Sequence, residues 1–123
     1  MIRSLVLVAA VAATPASAYI TRESYRVDGD AQQFHVEYEP GLSAAQYWCA
    51  AGQFVDDYLG LLPTTPVYRL SPKPLERGEG MTFSLSSEGA MKETGVMVFP
   101  ASDHLSAGFA ASLCVPGQAV STN

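Results

Sequence analysis

The chain has 123 residues, and its seven Lys and Arg against twelve Asp and Glu give a net charge of −5. A protein that neutralises nucleic-acid phosphates or anionic lipid headgroups needs a basic surface, so this balance argues against binding to either. The length suits one small domain together with a targeting segment.

The first 18 residues have the pattern of a cleavable secretory signal. Arg3 gives the start a positive charge, residues 5–13 are apolar, and Ala16-Ser17-Ala18 supplies the small residues that a signal peptidase recognises. The apolar run is too short for a stable transmembrane helix, which needs about 20 residues. The alternatives are an N-terminal anchor or a buried strand. We expect cleavage after Ala18, a periplasmic or extracellular location, and no stable membrane insertion of the mature chain.

Cys49 and Cys114 are the two cysteines of the chain. Export places them in an oxidising compartment, where thiols pair and persist as disulfides. Two cysteines allow one intramolecular connectivity, so the sequence predicts a Cys49–Cys114 bond.

Residues 19–27 are rich in Tyr, Ile, Thr and Val and predict a strand. Asp28-Gly29-Asp30 is a turn signal, and residues 33–38 alternate apolar and polar side chains as a half-buried strand does. The two strands are predicted to pair as a hairpin, which ends at Pro40-Gly41.

Ser43 is a good helix N-cap, and an apolar stripe at three- and four-residue spacing predicts a helix over residues 44–59. Gly60 is its predicted end. Cys49 does not lie on the stripe but on the opposite side of the helix. If Cys49 bonds to Cys114, the C-terminal segment must cross the far side of this helix, which would then be covered on both faces.

Three further strands are predicted over residues 67–70, 81–86 and 94–99, as an antiparallel meander. A short helix over 107–114 follows, and residues 116–123 are small and polar, as in a frayed tail. The order ββ-α-βββ-α predicts a single α+β domain over 19–115, in which the long helix packs on one face of an antiparallel sheet.

The sharpest catalytic hypothesis uses Cys49 as a nucleophile with His104 or His35 as its base. Such a thiolate needs a pKa lowered by a histidine or a helix N-terminus. Cys49 lies in the second turn of the predicted helix, and no catalytic family signature surrounds it. A structural disulfide also explains the second cysteine, so it is the favoured interpretation.

His35 and Glu37 share one face of a predicted strand, where they could bind a metal or form a base with its orienting carboxylate. A solvated outer face explains the pair more simply. His104 beside Asp103 is interpreted in the same way. Neither histidine has a third ligand at metal-site spacing, and no phosphate-binding loop is present. The sequence therefore predicts no metal and no cofactor.

Residues 71–80 form a long loop, stiffened by Pro72 and Pro74, which is the best candidate for a contact surface. Its charged residues are Lys73, Glu76, Arg77 and Glu79. A second candidate is Trp48, which could form a peptide or glycan platform if it were exposed beside Gly52. Large aromatic residues on an apolar stripe are usually buried.

Four stretches carry a resemblance to a family. They are Pro40-Gly41-Leu42-Ser43, Tyr47-Trp48-Cys49-Ala50-Ala51-Gly52, Tyr68-Arg69-Leu70-Ser71 and Gly78-Glu79-Gly80-Met81-Thr82-Phe83-Ser84. With these residues the chain resembles small exported proteins of unknown function in alphaproteobacteria. The resemblance implies a Gram-negative periplasm or secretion, and it implies no activity, ligand or catalytic residue.

The leading hypothesis from sequence is a non-enzymatic, disulfide-stabilised binding module whose partner is a protein or an envelope component. It depends on the missing catalytic motif, the single disulfide and the full apolar core. The alternatives are a Cys49-dependent hydrolase or thiol redox protein, and an inhibitor or immunity protein that blocks a secreted enzyme.

Overall fold

The structure, a computed structural model, describes residues 18–115 and 119–123. The predicted secretory signal lies outside the described residues except for Ala18, so its cleavage stays a prediction. Within these two described ranges, no helix has both the length and the apolar character that crossing a membrane requires.

Six short strands form one antiparallel sheet, in the spatial order β1-β2-β3-β5-β4-β6. The α+β class and the antiparallel sheet are confirmed. The strands are β1 (Ala18–Ile20), β2 (Arg26–Gly29), β3 (Gln33–Val36), β4 (Pro66–Arg69), β5 (Met81–Ser84) and β6 (His104–Ser106).

The single strand predicted over 19–27 is wrong, because the chain reverses within it. β1 pairs with β2, and the turn between them is closed where the Thr21 N–H donates to the Tyr25 carbonyl (2.9 Å). Ser24 has a φ of 69°, a left-handed conformation that side chains other than glycine adopt rarely. This turn contains no Gly or Pro, so no local sequence signal indicated it.

The long helix begins and ends close to its predicted bounds. α1 covers Ala44–Gln53 and continues as a π-helical turn over Phe54–Tyr58. Ser43 and Gln46 form a capping box, which satisfies amides of the first turn. Gly60 follows with a φ of 65°, the left-handed conformation that commonly ends a helix.

The apolar stripe of α1 packs on the sheet through aromatic rings. The Trp48 ring meets the Phe83 ring edge-on at 4.8 Å, and the Phe54 ring lies 4.7 Å from the Phe34 ring. The inward residues of β2 to β5 complete this buried layer. Residues that alternate with them point away from the helices, and we call this side the open sheet face: Gln33, His35, Tyr68, Thr82 and His104.

The opposite side of α1 is covered by the C-terminal segment, as predicted. α2 (Ala107–Ala111) and a 3-10 turn (Ser112–Cys114) pack on α1, and Cys49 is bonded to Cys114 with their Cα atoms 5.0 Å apart. The predicted disulfide and the two-sided burial of the helix are both confirmed.

Gly52 is the residue that lets α2 approach α1. A Cβ atom there would lie 2.6 Å from Ala107 O and would overlap Ala111 N. Gly52→Ala is therefore expected to lower the free energy of unfolding by about 1 to 3 kcal/mol, the range typical of overpacking. Urea denaturation followed by circular dichroism measures it. Alanine is the better helix former by about 1 kcal/mol, so a gain in stability would contradict this account of the contact.

The strand predicted over 94–99 is also wrong. This segment is irregular and makes one isolated bridge, between Val96 and Ser121. Gly95 has a φ of 83°, which is incompatible with an extended strand. Long-range contacts therefore override a sequence that favours a strand locally.

The last strand is β6, which directly precedes the C-terminal helix and was not predicted. β6 pairs with β4, and β4 also pairs with β5, so the three strands do not form a meander in chain order. Ser106 ends β6 and is also the N-cap of α2, where its Oγ accepts from the Phe109 amide. Residues 104–106 thus form a strand and also supply the N-cap of the helix that follows.

Residues 119–123 contact the domain, contrary to the predicted frayed tail. The Met97 amide donates to the Val120 carbonyl (2.8 Å), and the Thr122 amide donates to the Gly95 carbonyl (2.7 Å). The Ser121 hydroxyl accepts from the Ala45 amide at the start of α1 (3.1 Å). Residues 116–118 of the predicted tail lie outside the described residues.

Candidate contact surface around residues 71–80

Arg69 is a buried cation that holds the start of the 71–80 loop. Its side chain is fully buried, and its Nε and Nη2 donate to the carbonyls of Ser71 (2.7 Å) and Pro72 (3.1 Å). Nη1 donates to the Thr94 carbonyl (3.0 Å) and Nη2 also to the Asn123 oxygen (3.3 Å). Burial lowers the pKa of the Arg69 guanidinium, but arginine stays protonated in proteins.

The loop is fixed at further points along its length. Lys73 Nζ lies 3.3 Å from Glu93 Oε2 and donates to Thr122 Oγ1 (3.2 Å). At the far end, Gly80 packs so closely against β3 that an added Cβ would overlap the Val36 carbonyl oxygen. A loop fixed at both ends presents its middle, residues 75–79, in a defined position.

Three concavities surround this loop. The largest has a volume of about 500 Å³ and lies on the open sheet face. Its lining includes His35, Glu37, Glu79 and Thr82. The other two, of about 200 Å³ and 210 Å³, are both lined by Leu75 and Glu76. Glu79 lines all three, so we treat them as one surface, the 71–80 contact surface.

Negative charge predominates on the contact surface. Glu39, Glu76 and Glu79 have no ion-pair partner within 4.0 Å among the described residues, and Arg77 is the single cation in the linings. Glu37 lies 3.7 Å from Arg26 Nε, which also contacts Asp28. A partner surface of positive charge would complement this arrangement.

Of the predicted candidates, His35, Glu37, Glu76, Arg77 and Glu79 line these concavities. His35 Nδ1 is 2.8 Å from Thr82 Oγ1, so its ring is held by a hydroxyl and not by a carboxylate. Lys73 belongs to the loop but is turned toward Glu93, where it anchors the loop.

His104 lies away from this surface, on edge strand β6. Its Nδ1 is 2.7 Å from Asp103 Oδ1 and 3.4 Å from Ser102 Oγ, and its ring lies 5.2 Å from the Tyr68 ring. A serine triad needs the carboxylate and the hydroxyl on opposite nitrogens of the imidazole. Here both are on Nδ1, so the three residues do not form one.

Cys49 does not have the surroundings of a nucleophile. Its sulfur is in the disulfide and its side chain is fully buried, on the face of α1 that α2 covers. His35 and His104 lie on the open sheet face, with the sheet between them and α1. The pairing of Cys49 with either histidine as base is therefore wrong.

The aromatic platform that an exposed Trp48 would form is absent, because the side chain is buried as its position on the apolar stripe favours. Trp48 is fully buried and donates from Nε1 to the Thr94 carbonyl (2.9 Å). The gap beside Gly52 is filled by α2. Phe99 is an exposed aromatic residue in the segment after Thr94, with 89% of its surface exposed. It lines a concavity of about 310 Å³ with residues 92–98, Ala101, Ser102 and Thr122.

Comparison of the chain with protein-family models, with curated proteins and with solved structures found no match. The resemblance to small exported alphaproteobacterial proteins stays a prediction.

Proposed function

We propose that the protein is a non-enzymatic, exported binding module that engages a partner protein through the 71–80 contact surface. The observation that carries the proposal is the convergence of three concavities on one anchored loop. Ligand-binding residues are disproportionately found on loops that a rigid scaffold positions. The Arg69 bonds and the Lys73–Glu93 pair fix the start of the loop, and the packing of Gly80 against β3 fixes its end.

The charge of the surface favours a basic partner. Glu39, Glu76 and Glu79 are left without an ion pair among the described residues, and unlike charges across an interface raise the association rate and select the partner. The same charge disfavours nucleic acid, whose phosphates would be repelled. A basic face on a protein of the cell envelope, or on a secreted enzyme that this protein would inhibit, has the required chemistry.

Site-specific photo-cross-linking in the producing cells tests the proposal. A photoreactive amino acid in place of Arg77 is expected to give one dominant protein adduct. The same amino acid in place of Glu88, which is exposed and outside the three concavities, is expected to give none. Mass spectrometry of the adduct distinguishes an envelope component from a secreted enzyme.

Charge reversal supplies the second arm. The substitutions Glu76→Lys and Glu79→Lys are added together to the Arg77 cross-linking variant. They are expected to reduce the adduct at least about tenfold, because positive charges on this protein then face the basic surface of the partner. Glu88→Lys is the matched control and is expected to leave the adduct unchanged. Equal adducts from positions 77 and 88, or an adduct that survives the double reversal, would show that this surface is not the binding site.

A further inference from the structure

Glu23 places a carboxylate beside the two sulfurs of the disulfide. Its Oε2 lies 4.0 Å from Cys49 Sγ, and the three donor atoms, with Cys114 Sγ, all lie within 4.8 Å of one another. Cys49 is fully buried, Cys114 is partly buried and Glu23 is exposed, so one side of the group is open to water. The group shares no residue with the 71–80 contact surface.

Gln53 holds this arrangement together. Its Nε2 donates to Glu23 Oε2 (2.8 Å) and to Cys114 Sγ (3.1 Å), and its Oε1 accepts from the Arg22 amide (3.2 Å). The left-handed Ser24 ends the segment that carries Glu23 over the sulfurs. A buried amide side chain and a strained turn thus fix the carboxylate against the disulfide, although no cation neutralises it among the described residues.

We propose that the dithiol form of the protein binds one Zn²⁺ ion through Cys49, Cys114 and Glu23. A dithiol reductant supplies two electrons and two protons, so that the sulfur–sulfur bond breaks, each sulfur gains a proton and the reductant becomes a disulfide. Zn²⁺ then displaces both protons, because the thiolate is the ligand. Every exported chain is synthesised with free thiols, so the dithiol form precedes the disulfide.

The ligand set selects the metal. Two thiolates and one carboxylate suit a borderline-soft ion such as Zn²⁺, whereas Mg²⁺ and Ca²⁺ require oxygen ligands. Three protein ligands leave the fourth tetrahedral position for water, on the side where Glu23 is exposed. The metal would join the turn after β1, α1 and the C-terminal 3-10 turn, so it would replace the disulfide as the link between α1 and Cys114.

The test uses protein reduced with a phosphine, which becomes the phosphine oxide by taking an oxygen atom from water, and then desalted without air. Titration with Co²⁺, a spectroscopic substitute for Zn²⁺, is expected to give thiolate-to-cobalt charge-transfer absorption at one equivalent. Competition with Zn²⁺ is expected to abolish it. Zn²⁺ is also expected to raise the melting temperature of the reduced protein and not that of the oxidised protein.

Glu23→Gln is the discriminating variant, since it keeps the shape of the side chain and removes the ligand charge. It is expected to weaken Co²⁺ binding at least about tenfold, the scale on which metal sites respond to loss of a supporting group. Glu88→Gln makes the same charge change elsewhere and is expected to bind as the wild type does. If the metal-free dithiol protein is unfolded, recovery of helical circular dichroism on addition of Zn²⁺ replaces the melting measurement.

Two results would overturn the site. One is equal Co²⁺ affinity in the wild type and Glu23→Gln, which would mean that the cysteines bind metal without the carboxylate. The other is the absence of charge-transfer absorption in the reduced wild-type protein.

Discussion

Arg69→Met is expected to lower the free energy of unfolding by at least about 3 kcal/mol. The buried guanidinium donates to four main-chain oxygens, and methionine removes a donor from each of them. The Thr94 carbonyl still accepts from Trp48, so three acceptors lose the donor that Arg69 supplies. Each buried polar group left unpaired costs about 1 to 3 kcal/mol. Removing the buried charge returns part of its desolvation penalty, so the expected loss lies toward the lower end of the sum over these three acceptors.

Urea denaturation of the two proteins measures this loss. Arg77→Met is the matched control: Arg77 is exposed, so its substitution is expected to change the free energy of unfolding by no more than about 0.5 kcal/mol. Native-state hydrogen exchange gives a local readout, in which the amides of Met97 and Thr122 are expected to lose protection first. An Arg69→Met protein as stable as the Arg77→Met protein would mean that the four bonds contribute nothing net.

Loss of the disulfide is the second large effect. The double variant Cys49→Ala, Cys114→Ala is expected to be less stable than the oxidised wild type by about 4 kcal/mol, the chain-entropy value for a loop of this length. The two cysteines are 65 residues apart, so the bond strongly restricts the unfolded chain. Measurement by urea denaturation in the presence of a chelator keeps bound metal out of the comparison.

The control for this variant is the wild type itself after reduction. Reduced wild type without metal is expected to have nearly the stability of the double alanine variant, because both lack the covalent link. A double variant as stable as the oxidised protein would contradict a stabilising role for the bond. Such a result would leave the packing of α2 against Gly52 as what holds the C-terminal segment on α1.

The parts of the fold that local pattern predicts were obtained from sequence. The alternation of Phe34 and Val36 with polar neighbours indicated β3, and the apolar stripe from Ala44 indicated α1. The position of Cys49 off that stripe predicted that the C-terminal segment covers the helix. Each of these depends on side-chain periodicity within one element or on a covalent constraint.

The errors occurred where a distant group decides the conformation. Residues 94–99 have a strand-like composition, but the Thr94 carbonyl accepts from Trp48 and Arg69, and Gly95 turns the chain. No local pattern encodes those bonds. β6 is three residues long and directly precedes α2, so it lacks the run of alternating residues by which a strand is recognised in sequence.

The location of the candidate surface was indicated in part by the sequence, and its role in binding stays a proposal. The loop was selected for its length, prolines and mixed charge, and it is the segment around which the concavities lie. Arg69, the residue that fixes it, was missed. The alternation Val67-Tyr68-Arg69 did contain the signal, because a period of two places Arg69 on the same buried side as Val67.

Many contacts that stabilise the fold are made by residues after 103, and this affects how the chain folds during synthesis. β6, α2, Cys114 and the Ser121 and Asn123 contacts are all contributed by residues after 103. A nascent chain that stops before residue 104 would leave the Cys49 side of α1 facing water and Arg69 without its Asn123 acceptor. Cotranslational folding of this domain would therefore stall until residues 104–123 have left the ribosome.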